Sequence, residues 1–149
     1  MDKVSIDRIQ LLHPKIKDEV LQLYNNAHGL MPNGTIIRVV QGLRTFAEQH
    51  ALFIKHPSVT KADAGQSYHN YGLAIDFALL VNGEIDWVVT ADWLKVVKVF
   101  TDAGYQWGGN WKFKDNPHLE KTFGYGWREL LVKHNNKDFI PGTEYVNIG

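Results

Sequence analysis

Hydrophobic side chains recur at helical spacing in four stretches of the chain, which predicts four helices. The first covers residues 13–28, the second begins at 45 and extends to near 56, the third covers 91–103 and the last 127–133. The residues that mark the ends of these helices are the capping candidates Thr45 and Thr90 and the terminating residues Gly29, Pro57 and Gly104. No element is predicted in the tail from residue 135 onward, which has no clear period.

Runs rich in β-branched residues predict strands between these helices. The segment TIIRVVQ, residues 35–41, is one strand, and residues 72–81 form a second, buried strand. Asn82 and Gly83 are a strong two-residue hairpin signal, so residues 84–88 are expected to return as the partner strand.

Two further short strands are predicted nearer the C-terminus, one over residues 105–111 with a glycine bend and one after the loop that begins at Asp115. The order helix, strand, helix, strands, helix, strands is typical of an α+β protein whose helices pack against a small antiparallel sheet. At 149 residues, with no repeat and no linker, the chain is expected to form a single domain over residues 1–149.

Composition excludes several kinds of partner and chemistry. Lys+Arg and Asp+Glu number 16 each, so the formal net charge is zero, which argues against a nucleic-acid partner. The chain has no cysteine, so disulfides and thiolate metal sites are excluded. Residues 1–10 lack the apolar core of a signal peptide, and no apolar run is long enough for a membrane span. We therefore expect synthesis in the cytoplasm and no membrane insertion.

The stretch SYHNYGLAIDF contains His69 and Asp76, an imidazole and a carboxylate of the kind that Zn²⁺ accepts as ligands. On an unbroken strand two residues at this odd spacing face opposite sides, so a bend near Gly72 is needed to bring both into one cleft. Asp76 lies within the apolar run AIDFALL, where a buried carboxylate is costly unless it is paired or bound to a metal. The alternative is that Asp76 accepts hydrogen bonds from neighbouring backbone.

The segment DNPH, residues 115–118, supplies the remaining candidates. Its proline disfavours a helical turn, so an extended backbone can direct His118 toward the ion and Asp115 toward the ion's open side. Together with His69 and Asp76, His118 would leave the fourth position of Zn²⁺ free, as in catalytic zinc sites. A lone histidine is more often structural, which is the alternative for His118. The other histidines, expected to be solvated or to cap helices, are His13, His28, His50, His56 and His134.

These motifs resemble those of the LAS-type zinc peptidases, which include D-alanyl-D-alanine carboxypeptidases and L-alanyl-D-glutamate endopeptidases. The pattern S-x-H-x-x-G-x-A-x-D of residues 67–76 is followed by D-x-P-H-x-E at 115–120. The upstream GLRTxxxQ at 42–49 resembles the family's third block. The three blocks occur in the family's order. The resemblance implies the LAS, or hedgehog-like, fold with one Zn²⁺ per chain.

The resemblance also implies a role for each residue of the motifs. The implied zinc ligands are His69, Asp76 and His118. Asp115 would be the general base and then the general acid, and Arg44 would stabilise the oxyanion or position the substrate carbonyl. Gln49 and Ser67 would hold the site or the substrate in place. Glu120 would orient a ligand histidine.

The segment WGGNW at 107–111, ahead of the D-x-P-H motif, most resembles the L-alanyl-D-glutamate peptidases found among phage endolysins. The resemblance implies a peptidase that cleaves the stem peptides of peptidoglycan after release through a holin or a similar pore. We expect the chain to act as a monomer. A D-alanyl-D-alanine carboxypeptidase with the same metal mechanism is one alternative. A non-catalytic wall-binding relic of the fold is another, which the retention of Asp115 and Arg44 disfavours.

Overall fold

The computed structural model describes residues 2–55 and 60–149, which form five α-helices and five β-strands. The helices are α1 (Lys3–Gln10), α2 (Lys17–His28), α3 (Phe46–Lys55), α4 (Ala91–Asp102) and α5 (Trp127–Asn135). The strands are β1 (Thr35–Gln41), β2 (Ala74–Val81), β3 (Glu84–Asp86), β4 (Gln106–Trp107) and β5 (His118–Glu120). Two short 3-10 helices cover Tyr68–Tyr71 and Gly108–Asn110. The predicted α+β class is confirmed.

The strands form one antiparallel sheet in the order β1-β2-β5-β4, and β3 pairs with the C-terminal end of β2. Strand β2 is central, because β1 lines one of its edges while β5 and β3 share the other. The register places Asp76 of β2 directly opposite His118 of β5. Two candidate ligands that are distant in sequence therefore lie on adjacent strands.

The hydrophobic core lies against one face of β2. Ile75, Phe77 and Leu79 are buried there, and the ring of Phe77 packs 4.5 Å from that of Trp93 in α4. Burying one such side chain contributes about 1.5–3 kcal/mol to the free energy of unfolding. Because side chains alternate along a strand, Asp76 is directed to the opposite face. The packing of the core thus fixes the direction of the Asp76 carboxylate.

The two capped helices match the prediction. The Thr45 backbone N–H donates to Glu48 Oε1 at 3.0 Å, and the Glu48 N–H donates to Thr45 Oγ1 at 3.1 Å. In α4, Thr90 Oγ1 accepts from the Trp93 N–H at 3.2 Å. The predicted end of α3, near residues 56–57, lies outside the described residues. No described helix combines the length and hydrophobicity needed to cross a bilayer.

Helix α1 is absent from the sequence-based prediction. Its pattern is mostly polar, and a helix this short is not stable alone. Its stability comes from β1, because Ser5 Oγ accepts from the Val39 N–H at 2.8 Å and Arg8 Nη1 donates to the Val39 carbonyl at 2.7 Å. Helix α1 thereby covers the free edge of β1, a position that sheets protect from unwanted pairing.

Helix α2 begins at Lys17, whereas the periodicity predicts a start at His13. The His13 N–H donates to the Gly72 carbonyl at 3.0 Å, and its ring Nε2 lies 2.7 Å from the Val146 carbonyl oxygen. These contacts hold the segment before Lys17 as a turn. His13 is fully buried, so the expectation that it is solvated or caps a helix is wrong. The same expectation for His56 concerns a residue outside the described ranges.

Three predicted strands are shorter in the structure. Strand β3 ends at Asp86, because Asp86 Oδ1 accepts from the Val88 N–H at 2.9 Å and turns the chain. Strand β4 contains only Gln106–Trp107, since the two glycines that follow enter a 3-10 helix. Strand β2 begins at Ala74, after the bend that the sequence predicts near Gly72.

Candidate active site and metal centre

His69 lies on the 3-10 helix Tyr68–Tyr71, outside the strand that carries Asp76. Ser67 caps this helix, since its Oγ accepts from the His69 N–H at 3.2 Å. The helix ends at Gly72, which has a φ of +69°. A Cβ at Gly72 would lie 2.6 Å from the His13 backbone nitrogen, so only glycine fits there. This turn is the predicted bend, and it directs His69 toward Asp76.

Asp76 Oδ1 lies at the centre of the candidate metal site. It is 3.2 Å from His69 Nε2 and 3.1 Å from His118 Nδ1. One ligand atom from each of these three residues lies within 4.8 Å of the other two. Both imidazoles are buried and Asp76 is largely buried. The structure therefore brings together the three residues that the sequence predicts as metal ligands.

The remaining nitrogen of each imidazole has a protein partner. His69 Nδ1 lies 2.9 Å from the Gly42 carbonyl oxygen, and His118 Nε2 lies 2.7 Å from Glu120 Oε1. A carbonyl or carboxylate at one ring nitrogen fixes the tautomer that leaves the other nitrogen free to bind a metal. Glu120 is itself buried, at the end of β5. Its position is the one expected for a residue that orients a ligand histidine.

Asp115 lies beside the cluster and is half-exposed. Its Oδ2 is 3.9 Å from His118 Nδ1. The Asp115 N–H donates to the Gly108 carbonyl at 3.0 Å, and Trp107 Nε1 donates to the Asn116 carbonyl at 2.7 Å. The WGGNW segment therefore holds the loop that places the Asp115 carboxylate beside His118.

A buried hydrogen-bond network supports Arg44. Its Nη1 donates to Gln49 Oε1 at 2.9 Å, and Gln49 Nε2 donates to the Ala62 carbonyl at 2.7 Å. Asn70 Nδ2 donates to the Arg44 carbonyl at 3.0 Å, and Asn70 Oδ1 accepts from the Ser67 N–H at 3.2 Å. Among the described residues, Arg44 Nε is buried without a hydrogen-bond partner. Arg44 Nε is therefore a hydrogen-bond donor whose capacity is not used within the described part of the protein.

Asn70 is the residue of this network that the sequence analysis misses. It is buried, and it connects the Arg44 segment to the capped turn that carries His69. The spacing of Ser67 and Asn70 matches a capping box with Asn in place of the usual Glu or Gln, and that signal was available in the sequence.

The electrostatics of the cluster suit a cation. Burial raises the pKa of Asp76, but hydrogen bonds with His118 and His69 outweigh burial and hold the pKa well below its usual range. Burial lowers the pKa of His118, but hydrogen bonds with Asp76 and Glu120 outweigh it and raise the pKa to about 9. For Asp115, burial and the nearby Asp76 carboxylate raise the pKa. A raised pKa brings this carboxylate nearer to the value that a general base needs at neutral pH.

The three donors fit a small divalent cation. In a tetrahedral zinc site with bonds of 2.0–2.1 Å, neighbouring ligand atoms lie about 3.3 Å apart. The separations of 3.2 and 3.1 Å between Asp76 Oδ1 and the two imidazole nitrogens are close to that value, and one ligand atom from each imidazole lies within 4.8 Å of the other. Two nitrogen donors and one oxygen donor are also ligands suited to zinc. The cluster is compatible with a metal ion.

Comparison with known proteins identifies the family. A family model described as D-alanyl-D-alanine carboxypeptidase matches residues 60–121, a range that includes His69, Asp76, Asp115 and His118. The peptidoglycan L-alanyl-D-glutamate endopeptidase CwlK of Bacillus subtilis is 42% identical over 124 residues, covering 73% of this chain and 72% of that protein. The chain belongs to this peptidase family. The family predicted from the motifs is confirmed.

Phage proteins and a solved structure agree with this assignment. The L-alanyl-D-glutamate peptidase of Escherichia phage T5 is 35% identical over 125 residues, covering 78% of this chain and 89% of that protein. The L-alanyl-D-glutamate peptidase of Listeria phage A118 is 34% identical over 98 residues, which is 63% of this chain and 34% of that longer protein. The crystal structure of the Serratia marcescens L-Ala D-Glu endopeptidase ChiX superposes with a TM-score of 0.61 at 25% identity, covering 83% of this chain and 90% of that one.

Gly108→Ala is expected to displace Asp115 and lower kcat by at least about tenfold, because small displacements of catalytic groups are costly. A Cβ at Gly108 would lie 2.2 Å from the Asp115 carbonyl oxygen, so the loop must shift. Steady-state kinetics and thermal unfolding measure the effect. Gly126→Ala is the matched control, since its added Cβ has its nearest contact at 3.6 Å, with Glu129 Oε1. Unchanged kcat in Gly108→Ala would contradict the placement of Asp115.

Metal binding near neutral pH is expected to release about one proton per ion. His118, whose pKa is raised to about 9, is protonated in the metal-free protein, and its Nδ1 must lose that proton to ligate a metal. Metal affinity should therefore fall about tenfold for each pH unit below about 9. Isothermal titration calorimetry in buffers of different ionisation enthalpy counts the protons released. Affinity that is independent of pH between 6 and 8 would contradict this account.

Proposed function

We propose that this protein is a zinc-dependent peptidase that hydrolyses the L-alanyl-D-glutamate bond of peptidoglycan stem peptides. It acts as a monomer with one Zn²⁺ per chain, and residues 1–149 form one peptidase domain. His69, Asp76 and His118 hold the ion. The observation that carries the proposal is the convergence of these three side chains, with Asp115 3.9 Å from His118 and Arg44 close enough to interact with the charges of Asp76 and Asp115. The relatives' names agree with the activity expected from the sequence.

The ion, when bound, supplies a water molecule of lowered pKa and a positive charge for the developing oxyanion. Asp115 takes a proton from the attacking water, which its raised pKa favours, and then returns that proton to the leaving amine. Glu120 and the Gly42 carbonyl hold the two imidazoles in the tautomers that leave Nδ1 of His118 and Nε2 of His69 facing Asp76.

Arg44 stabilises the oxyanion from the protein side. Burial lowers the pKa of its guanidinium, while Asp76, Glu48 and Asp115 raise it, so the group stays charged beside the acidic residues of the site. A donor aimed at a developing oxyanion lowers the activation free energy by about 3–4 kcal/mol. Gln49 is fully buried and holds Nη1 of Arg44, which pre-orients the donor. Ser67 acts indirectly, because it caps the turn that carries His69.

A D-alanyl-D-alanine carboxypeptidase is the second candidate, because that is the description of the matching family model. The metal, base and oxyanion donor serve both reactions, and only the bond presented to them differs. The relatives that match most of this chain are named L-alanyl-D-glutamate peptidases, which supports the endopeptidase. The phage origin of two of these relatives supports action on the wall after release from the cytoplasm through a holin or a similar pore.

Mass spectrometry of digested peptidoglycan separates the two activities. The endopeptidase frees whole stem peptides that begin with D-glutamate and leaves L-alanine on the glycan. The carboxypeptidase releases single D-alanine residues. Digests with and without a chelator test the need for the metal, and a protein treated with chelator and then reloaded with Zn²⁺ is the control. Release of D-alanine alone, or digestion that is unaffected by full chelation, contradicts the proposal.

A further inference from the structure

We propose that Trp111 is a sugar-stacking platform that recognises the muramic acid ring next to the scissile bond. The inference rests on the proposed L-alanyl-D-glutamate activity and extends it. The enzyme would then recognise a glycan-attached stem peptide in preference to the free peptide. Trp111 would act as a specificity-determining residue that contacts the substrate outside the reacting bond.

Trp111 lies at the edge of the metal site. Its ring centroid is 5.2 Å from that of His118, with an angle of 49° between the ring planes. The residue is 36% exposed although it packs beside a buried imidazole. One part of the indole therefore contacts the metal centre, and another part is open to a bound molecule.

The backbone around Trp111 is held in place. The Trp111 N–H donates to the Gly108 carbonyl at 3.2 Å, the same oxygen that accepts from the Asp115 N–H at 3.0 Å. Lys114 Nζ donates to the Gly109 carbonyl at 3.0 Å. The aromatic ring and the Asp115 carboxylate are thus positioned by one short turn. Because one turn positions both groups, the distance from the Trp111 ring to the bond that is cleaved is fixed.

The chemistry of the substrate brings a sugar to this position. In peptidoglycan the L-alanine nitrogen is joined to the lactyl group on the ring of muramic acid. One alanyl unit and one lactyl unit together span at most about 7 Å, taking about 3.5 Å for each. When the L-alanyl carbonyl lies at the metal site, the pyranose ring therefore lies within about 7 Å of that site. The C–H groups on one face of a pyranose complement the electron-rich face of an indole.

Trp111 could instead only shield His118 from water, and the choice of substrates separates the two roles. A shielding residue affects metal affinity or chemistry, and therefore the hydrolysis of all substrates alike. A sugar platform affects only the substrate that carries the sugar. The ratio of kcat/KM for the disaccharide-linked stem peptide to kcat/KM for the free peptide is also independent of the fraction of enzyme that holds metal.

The test measures this ratio for the wild type, Trp111→Ala, Trp111→Phe and Trp87→Ala. Trp87 is the matched control, because it is 50% exposed and follows β3, whose last residue, Asp86, pairs with Leu79 of β2. Wild type is expected to prefer the disaccharide-linked peptide by about tenfold, Trp111→Ala to lose that preference, and Trp111→Phe and Trp87→Ala to keep most of it. An unchanged ratio in Trp111→Ala, or no preference in the wild type, overturns the inference.

A binding experiment decides the inference independently of turnover. Muramyl-L-alanine at millimolar concentration is added to the chelated wild-type protein, and the indole N–H signals are followed by NMR. The signal absent from Trp111→Phe is expected to shift, and the Trp87 signal to stay in place. If no signal shifts, the inference is overturned even where cleavage occurs. If the wild type cleaves neither peptide, the proposed function fails, and the NMR titration still decides whether Trp111 binds the sugar.

Discussion

Replacing Asp115 with alanine or asparagine is expected to lower kcat by about 10²–10⁴-fold while the protein still binds its metal ion. Asp115 lies 3.9 Å from His118 Nδ1, beside the three candidate ligands and not among them. Its side chain is half-exposed, and the loop is held by its backbone N–H, which the substitution retains. The loss should therefore fall on proton transfer, with little effect on folding or metal content.

Kinetics and metal analysis of the same preparation test this expectation. Asp115→Asn keeps the size of the side chain and removes its ability to accept a proton. Asp7→Asn, at an exposed position in α1, is the matched control and is expected to retain full activity. Asp115→Asn with stoichiometric zinc and normal turnover would rule out the role of general base. Loss of the metal in Asp115→Asn would instead make Asp115 a ligand.

His118→Ala is expected to lose both the metal and the activity. The substitution removes one of three candidate ligands and leaves the buried carboxylate of Glu120 without the imidazole 2.7 Å from it. Removing one partner of a buried charged pair typically costs about 3–5 kcal/mol, so the apo protein should also unfold more easily. Elemental analysis measures the loss of the metal, and thermal unfolding measures the loss of stability.

His50→Ala is the matched control for His118→Ala. His50 pairs with Asp63 at 2.7 Å near the surface, and the pair is largely solvent-accessible. This variant should keep one ion per chain and wild-type kcat, because surface pairs contribute about 0–1 kcal/mol. A His118→Ala protein that still held one tightly bound ion would show that the metal binds elsewhere.

The elements that the sequence predicts well are those whose signal is local. Strand β1 matches the TIIRVVQ run at both ends, and Thr90 caps α4 as its position predicts. Helix α1 could not be predicted, because its stability depends on the contacts of Ser5 and Arg8 with β1, more than 30 residues away. The start of α2 depends in the same way on contacts of His13 with Gly72 and Val146. Tertiary contacts of this kind override local periodicity.

The candidate site likewise combines features that the sequence predicts with features that depend on tertiary contacts. The resemblance to a zinc-peptidase family implied that His69, Asp76 and His118 meet, and in the structure the bend at Gly72 and a cross-strand pair bring them together. Asn70 was missed because it occupies the capping-box position where Glu or Gln is usual, and because its contacts with Arg44 and Gly65 are tertiary. The place of Trp111 beside His118 depends on the geometry of the glycine turn, which the sequence does not specify.

The central claim is that one metal ion is held between His69 Nε2, Asp76 Oδ1 and His118 Nδ1. The most direct test is a crystal structure of the zinc-loaded protein, with anomalous scattering recorded on both sides of the zinc absorption edge. The account predicts one anomalous peak per chain, bonded to those three atoms, with its remaining position open toward Asp115. A peak coordinated by other residues, or a site in which both imidazoles still hydrogen-bond Asp76 with no ion between them, would contradict it.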